Sequence, residues 1–195
     1  MKNIIDAHVK HKVLGIDSST FSIANTLVVD GEIKATTKID LGKGELPTRL
    51  YKARRNFPGV LRGFAPDLVA VEQSIYVQSA DAVRKLSYII GIIMAETLVR
   101  DIEIVDVPPM QWKSFIGVKA LTASRKNEII KELGEKEGRK HITSLKKTMV
   151  QDVLRTKFPA WGNVLDDNDI ADATAIALFA YHTYGSGRPI AGMVG

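Results

Sequence analysis

Apolar positions along the chain fall into short unbroken runs, alternating stretches and longer helical patterns. Residues 13–17, Val-Leu-Gly-Ile-Asp, form an apolar run that ends on a carboxylate. A continuous run of that kind suits a strand covered on both faces. Residues 21–29 predict a second strand, and Asp30-Gly31 predicts a hairpin into a third over residues 32–40. After a loop at 42–45, Pro47 fits the start of a helix running to about Leu61, with Arg49, Lys52, Arg54 and Arg55 read as solvated. Gly63 to Pro66 break that helix, and residues 67–72, Asp-Leu-Val-Ala-Val-Glu, repeat the first pattern: a short apolar run ending on an acid.

Residues 79–100 predict a long helix. Its apolar positions, among them Ile89, Ile92, Ile93, Met94 and Leu98, exceed one stripe and predict burial on two sides, within the core or also at a subunit interface. Residues 102–107 read as a fifth strand ended by Pro108-Pro109, and strand, helix, strand implies a parallel crossover. Helical patterns at 122–133 and 144–158 flank residues 134–141, which lack apolar anchors and are expected to be mobile. A loop at 162–168 precedes a final Ala-rich helix from 169 to about Tyr184, and 185–195 reads as a loose tail. The expectation is an α/β fold: a five-stranded mixed sheet, three antiparallel strands plus parallel ones, flanked by helices. It forms one domain over 1–195 with its core at about 12–184.

Composition narrows the chemistry. A length of 195 residues with 45% hydrophobic content suits one core of useful size. The absence of cysteine excludes disulfides, thiolate zinc sites and a cysteine nucleophile, leaving oxygen ligands as the metal option. The N-terminus lacks the apolar core of a signal peptide and no segment qualifies as a membrane span, so a cytoplasmic protein without a membrane partner is expected. The net charge is +5, but residues 111–157 hold twelve Lys+Arg against five Asp+Glu, or +7, leaving 15 minus 17, or −2, for the rest. Such a segment fits a phosphate-backbone binder, or else a solvated helical surface.

The acids sharpen the choice. Asp17 and Glu72 each end an apolar run, while Asp169 and Asp172 stand at i and i+3 and leave one face of a first helical turn. Acids there also serve as helix caps. Brought together, four carboxylates repel and hold protons unless a cation neutralises them. Magnesium takes oxygen ligands, keeps several waters and accepts phosphate as a co-ligand. Two such ions about 4 Å apart can activate water and stabilise a leaving oxygen in phosphodiester hydrolysis.

The order Gly15-Ile16-Asp17, then Val69-Ala70-Val71-Glu72-Gln73, then Asp169-Ile170-Ala171-Asp172-Ala173 with Ala175-Ile176-Ala177, resembles the RuvC family of Holliday junction resolvases within the ribonuclease H superfamily, over roughly residues 12–184. The resemblance implies a homodimer that cuts a four-way or other branched DNA by paired symmetric nicks. It implies Mg²⁺, with Mn²⁺ able to substitute, as two ions held by Asp17, Glu72, Asp169 and Asp172 as catalytic ligands. Lys113, Arg125 and Lys126 resemble the family's DNA contacts, with Lys146 and Lys147 beside them. Gln73 and Tyr76 follow Glu72 at the mouth of such a site. Tyr76 is expected to stack on an unpaired base, the alternatives being a tyrosine packed under its loop or a match falling on Ile75.

The chain departs from the bacterial pattern in two places. Ser18-Ser19-Thr20 stands where many members carry Pro-Gly, and 134–141 is longer than usual. Both suggest a divergent, phage-type branch acting in a bacterial or phage-infected cell. A ribonuclease H-fold nuclease acting on RNA or other branched DNA would use the same acids. A catalytically silent junction-binding protein would have little need of all four, and an ATP-binding protein of the actin type would need two such halves.

Overall fold

The apolar run at residues 13–17 lies where its composition requires, in the middle of a five-stranded sheet. The computed structural model describes residues 11–73 and 79–185. The strands are β1 (Lys12–Ser18), β2 (Ser22–Val29), β3 (Glu32–Asp40), β4 (Leu68–Glu72) and β5 (Glu103–Val107), in the spatial order β3-β2-β1-β4-β5. The hairpin strands pair antiparallel, β1 with β2 and β2 with β3, while β4 lies parallel to β1 and β5 parallel to β4. The helices are α1 (Leu46–Phe64), α2 (Ala80–Leu98), α3 (Pro109–Ile116), α4 (Ala123–Leu133), α5 (Glu135–Lys157) and α6 (Asn168–Tyr184).

The two-residue period of the strands sorts their apolar side chains onto two cores. Leu14, Ile16, Val69 and Val71 pack with Ala53, Phe57 and Leu61 of α1 and with Ile89 and Ile93 of α2. Val13, Leu68, Ala70 and Val107 face the other way, onto α6 and the buried Trp112 and Ile116 of α3. Gly15 points to that second face, and α6 fills the space its missing side chain leaves. A Cβ at Gly15 would collide with the Ala173 carbonyl oxygen and the Ala177 nitrogen, and would stand 2.7 Å from the Ala177 Cβ. The small residues of the last helix therefore do what their composition predicts: they let its backbone lie directly on the central strand.

Four expectations need correction. Pro108-Pro109 ends β5 but also opens α3, because proline at the first helical position costs no hydrogen bond. The stretch 134–141 is helical, not loose: α5 begins at Glu135, Arg139 pairs with Glu135 and Lys140 with Glu137. Gly138 lets this helix lie close on α4, since a Cβ there would lie 2.8 Å from the Ile130 Cα. Within residues 162–168, Val164–Asp166 coils into a 3-10 turn that buries Leu165. Finally, Arg49 is buried, not solvated, and donates from Nη1 to the Thr20 carbonyl at 2.7 Å. On α2, Ile89 and Ile93 are buried within the chain while Tyr88, Met94 and Leu98 stand exposed, on the side where a subunit interface is expected. The tail beyond Gly185 and the position of Tyr76 lie outside the described residues.

Candidate active site

Strand periodicity brings the acids together. Asp17 lies two residues beyond Gly15, and Glu72 two beyond Ala70, so both continue the α6 face of the sheet at the carboxyl ends of parallel neighbours. Helix α6 crosses that face with Asp169 and Asp172 on its opening turns. The cap is a different acid: Asp167 Oδ1 accepts from the backbone N–H of Asp169 at 2.9 Å and of Ile170 at 3.3 Å. Capping thus falls to Asp167, which leaves Asp169 and Asp172 for the site.

The electrostatics are those of crowded, poorly solvated carboxylates. Burial, followed by Asp172, Glu72 and Asp169, pushes the Asp17 carboxyl well above the ordinary range. Asp172 is pushed up to about 7, by burial first and against the pull of Lys113, with Glu72 and Asp169 adding to the rise. Burial also raises Glu72, opposed by Lys113 and by a hydrogen bond from Trp112. That bond runs from the indole Nε1 to Glu72 Oε1 at 3.2 Å.

Three side chains of this site were not anticipated from the sequence. Lys38, on β3, contacts Asp169 Oδ2 at 2.8 Å and Asp167 Oδ2 at 2.8 Å. Partial burial works against its charge, but hydrogen bonds to Asp167 and Asp169 outweigh it and raise its pKa. Ser22 donates to the same Asp169 oxygen at 2.9 Å. Trp112 is fully buried and orients Glu72. Strand alternation could have flagged Ser22 and Lys38, since both share the face of Ala24, which packs with Ile170 and Ala173. Nothing in the sequence singles out Trp112 over any other core aromatic.

The donor set suits a hard divalent cation: all-oxygen ligands on half-buried carboxylates, of which Asp17 and Asp172 have their pKa raised by their acidic neighbours. Among the described residues no three acidic or histidine side chains already close into a cage. Asp169 is held on Lys38 and Ser22, and Glu72 on Trp112.

Of the predicted DNA contacts, Lys113 reaches the acids: it pulls down the pKa of Asp17, Glu72 and Asp172, and its Nζ lies 4.7 Å from the Trp112 ring centroid. A cavity of about 460 Å³ beside it is lined by Met110, Lys113, Ser114 and Lys119. Arg125 and Lys126 lie on α4 and Lys146 on α5. Arg125 is occupied by Glu128 at 3.1 Å. Lys147 belongs to α5, and Gln73 is exposed with its N–H donated to the Val107 carbonyl at 2.9 Å.

Sheet order, the α6 crossing and an acid-bearing sheet end define a ribonuclease H-like fold. Within that class the chain is RuvC-like. It is 27% identical over 178 residues to the crossover junction endodeoxyribonuclease RuvC of Syntrophomonas wolfei, covering 89% of this chain and 90% of that one. Its fold matches Thermus thermophilus RuvC in complex with a Holliday junction substrate at a TM-score of 0.61 and 18% identity, covering 90% of this chain and 96% of that one. It matches the yeast mitochondrial Holliday junction resolvase at a TM-score of 0.52 and 13% identity, covering 90% and 81%. No protein-family model matches the chain. Among the described residues no helix is long and apolar enough to cross a membrane.

Proposed function

We propose that this protein is a single-domain, metal-dependent endonuclease that resolves four-way DNA junctions by paired symmetric nicks. That it is a RuvC-like nuclease rests on the joint likeness in sequence and fold. The observation that carries the site assignment is the half-buried group of Asp17, Glu72 and Asp172 beside Asp169, whose mutual repulsion calls for a cation.

In this reading Asp17, Glu72, Asp169 and Asp172 hold two divalent cations, magnesium with manganese able to substitute, which supply an activated water and charge neutralisation at the phosphate. Trp112 keeps the Glu72 carboxylate turned into the site. Lys113, close enough to influence three of the acids, stabilises the charge that builds on the phosphate as its ester bond breaks. Arg125, Lys126, Lys146 and Lys147 hold the DNA backbone, and Gln73 and Tyr76 meet bases near the junction centre.

A two-fold substrate calls for a two-fold enzyme. The exposed Tyr88, Met94 and Leu98 on α2 support a homodimer through that helix. The deciding experiment incubates the protein with four-way junction, flap, duplex, single-strand and RNA–DNA hybrid substrates in Mg²⁺. Symmetric nicks in the junction are expected, and preferential cutting of the hybrid or the flap would replace the junction reading with a different nuclease.

A further inference from the structure

Helix α1 carries five basic residues, Arg49, Lys52, Arg54, Arg55 and Arg62, and no acidic one. Two are used internally. Arg49 is buried, donates from Nη1 to the Thr20 carbonyl at 2.7 Å and lies 4.9 Å from the Phe21 ring centroid. Arg54 pairs with the buried Glu96 of α2 at 2.9 Å. The other three, Lys52, Arg55 and Arg62, have no ion-pair partner among the described residues. They stand at i, i+3 and i+10, one stripe of an α-helix about 15 Å long, opposite the buried Ala53, Phe57 and Leu61. Tyr51, 64% exposed, lies beside them.

Other helices of this molecule balance their basic residues with nearby acids. On α2 Arg84 pairs with Asp81, on α4 Arg125 with Glu128, and on α5 Arg139 with Glu135 and Lys140 with Glu137. Those faces mix signs at three- and four-residue spacing, which is how a helix lowers its own charge repulsion. On α1 the stripe is of one sign, and the nearest acids in sequence, Glu45 and Asp67, lie beyond its two ends. Summed over sequence the region outside 111–157 is slightly acidic, which hides this stripe. The helix is also fixed to the site: Arg49 ties its first turns to the turn that follows Asp17 on β1.

We infer that the Lys52–Arg55–Arg62 stripe of α1 is a second nucleic-acid surface, which binds the phosphate backbone of a duplex arm leaving the active site on the α1 side of the sheet. It rests on the reading of the protein as a DNA nuclease and adds a contact on the face of the sheet opposite Lys113. Unpaired cations in a row neutralise phosphates and release counterions, with no requirement on sequence. Tyr51 supplies a flat apolar surface against sugar or base edges.

The test measures affinity for a fluorescent four-way junction against salt, in Ca²⁺ so that binding is read without cleavage. Its subject is the variant Lys52→Gln, Arg55→Gln, Arg62→Gln. The log–log slope is expected to fall by about 0.9 per lost contact, so by two to three units in all. The charge-preserving variant Lys52→Arg, Arg55→Lys, Arg62→Lys should keep the wild-type slope, and melting curves of both variants should overlay the wild type, since Arg55 and Arg62 are exposed and Lys52 is half-buried with no ion pair among the described residues. Arms cut back to a few base pairs should erase the difference between the two variants. An unchanged slope in the glutamine variant overturns the inference while leaving the nuclease intact. Wild-type protein that binds and cuts no DNA overturns the nuclease reading instead. Binding to anionic-lipid vesicles that the glutamine variant loses, with its DNA slope unchanged, would reassign the stripe and also overturn the inference.

Discussion

The two sides of the carboxylate cluster are built differently. Asp167 and Asp169 are satisfied from within: Lys38 bridges them, Ser22 donates to Asp169, and backbone N–H groups of α6 donate to Asp167. Partial burial would raise Asp167, but Lys38 and those N–H groups hold it below the usual carboxylate range. Asp17 and Asp172 sit deeper, have no such cation among the described residues beyond the reach of Lys113, and both are driven upward. One side of the site is pre-ordered by the protein, and the other keeps its charge in deficit until something positive arrives. A cluster with both sides satisfied would have little affinity left for a cation, and one with neither would resist folding.

The sharpest way to break this comparison is to remove charge on the unsatisfied side. Asp17→Asn should lower junction cleavage by more than about two orders of magnitude while leaving binding and fold intact, because it deletes a ligand and none of the phosphate contacts. Near wild-type cutting by Asp17→Asn would falsify its assignment as an essential ligand. Glu72→Gln and Asp172→Asn belong in the same series, and Asp169→Asn extends it to the satisfied side.

The satisfied side should respond less. Lys38→Met frees Asp169 and its cap from their bridge and should cost about ten- to a hundredfold in affinity for Mn²⁺, read by calorimetry, with partial recovery in Lys38→Arg. Tighter Mn²⁺ binding in Lys38→Met would mean that Lys38 competes with the cation and orders nothing.

Metal-free stability gives a third and smaller difference. Because the folded-state pKa values of Asp172 (about 7) and Asp17 lie above their unfolded values, the native state binds more protons than the unfolded chain, and stability must fall as pH rises from about 4 through 7. Between its unfolded and folded pKa, one such carboxyl changes stability by at most about 1.4 kcal/mol for each pH unit crossed. Melting in EDTA from pH 5 to pH 8 should show this decline, Asp172→Asn should flatten it, and Mg²⁺ should offset it. A melting temperature that rises over that interval would contradict the assignment.

The smallest effect is expected far from the acids. Arg125→Ala and Lys126→Ala should each lower the salt slope of DNA binding by about one unit, and leave the pH profile of stability untouched. Since Arg125 already pairs with Glu128, it is the weaker of the two.

Much of this was written in the chain in a form that local reasoning can read. The five strands and the crossover followed from run length and alternation, and the four acids from their positions at run ends and on one helical face. What stayed hidden depended on tertiary neighbours. Lys38 is an ordinary polar position of an edge strand until β3 is placed beside the start of α6, 129 residues away. Trp112 reads as core and is core, yet its one polar atom is committed to Glu72. The 134–141 stretch misled because its helix rests on local ion pairs and on close approach to α4 at Gly138, whereas periodicity registers only apolar side chains.

Gly15 has a consequence for how this protein could fail. The interval between β1 and α6 is set by a missing methyl group, and that interval is also the span across which Asp17 faces Asp172. A change at Gly15 would act as a wedge, tilting one wall of the site away from the other while every acid remained in the chain. Because the nearest atoms it would meet are backbone of the core helix, the lesion would loosen the fold and the cation grip together. Screens for inactive variants that look only among charged residues would pass over it.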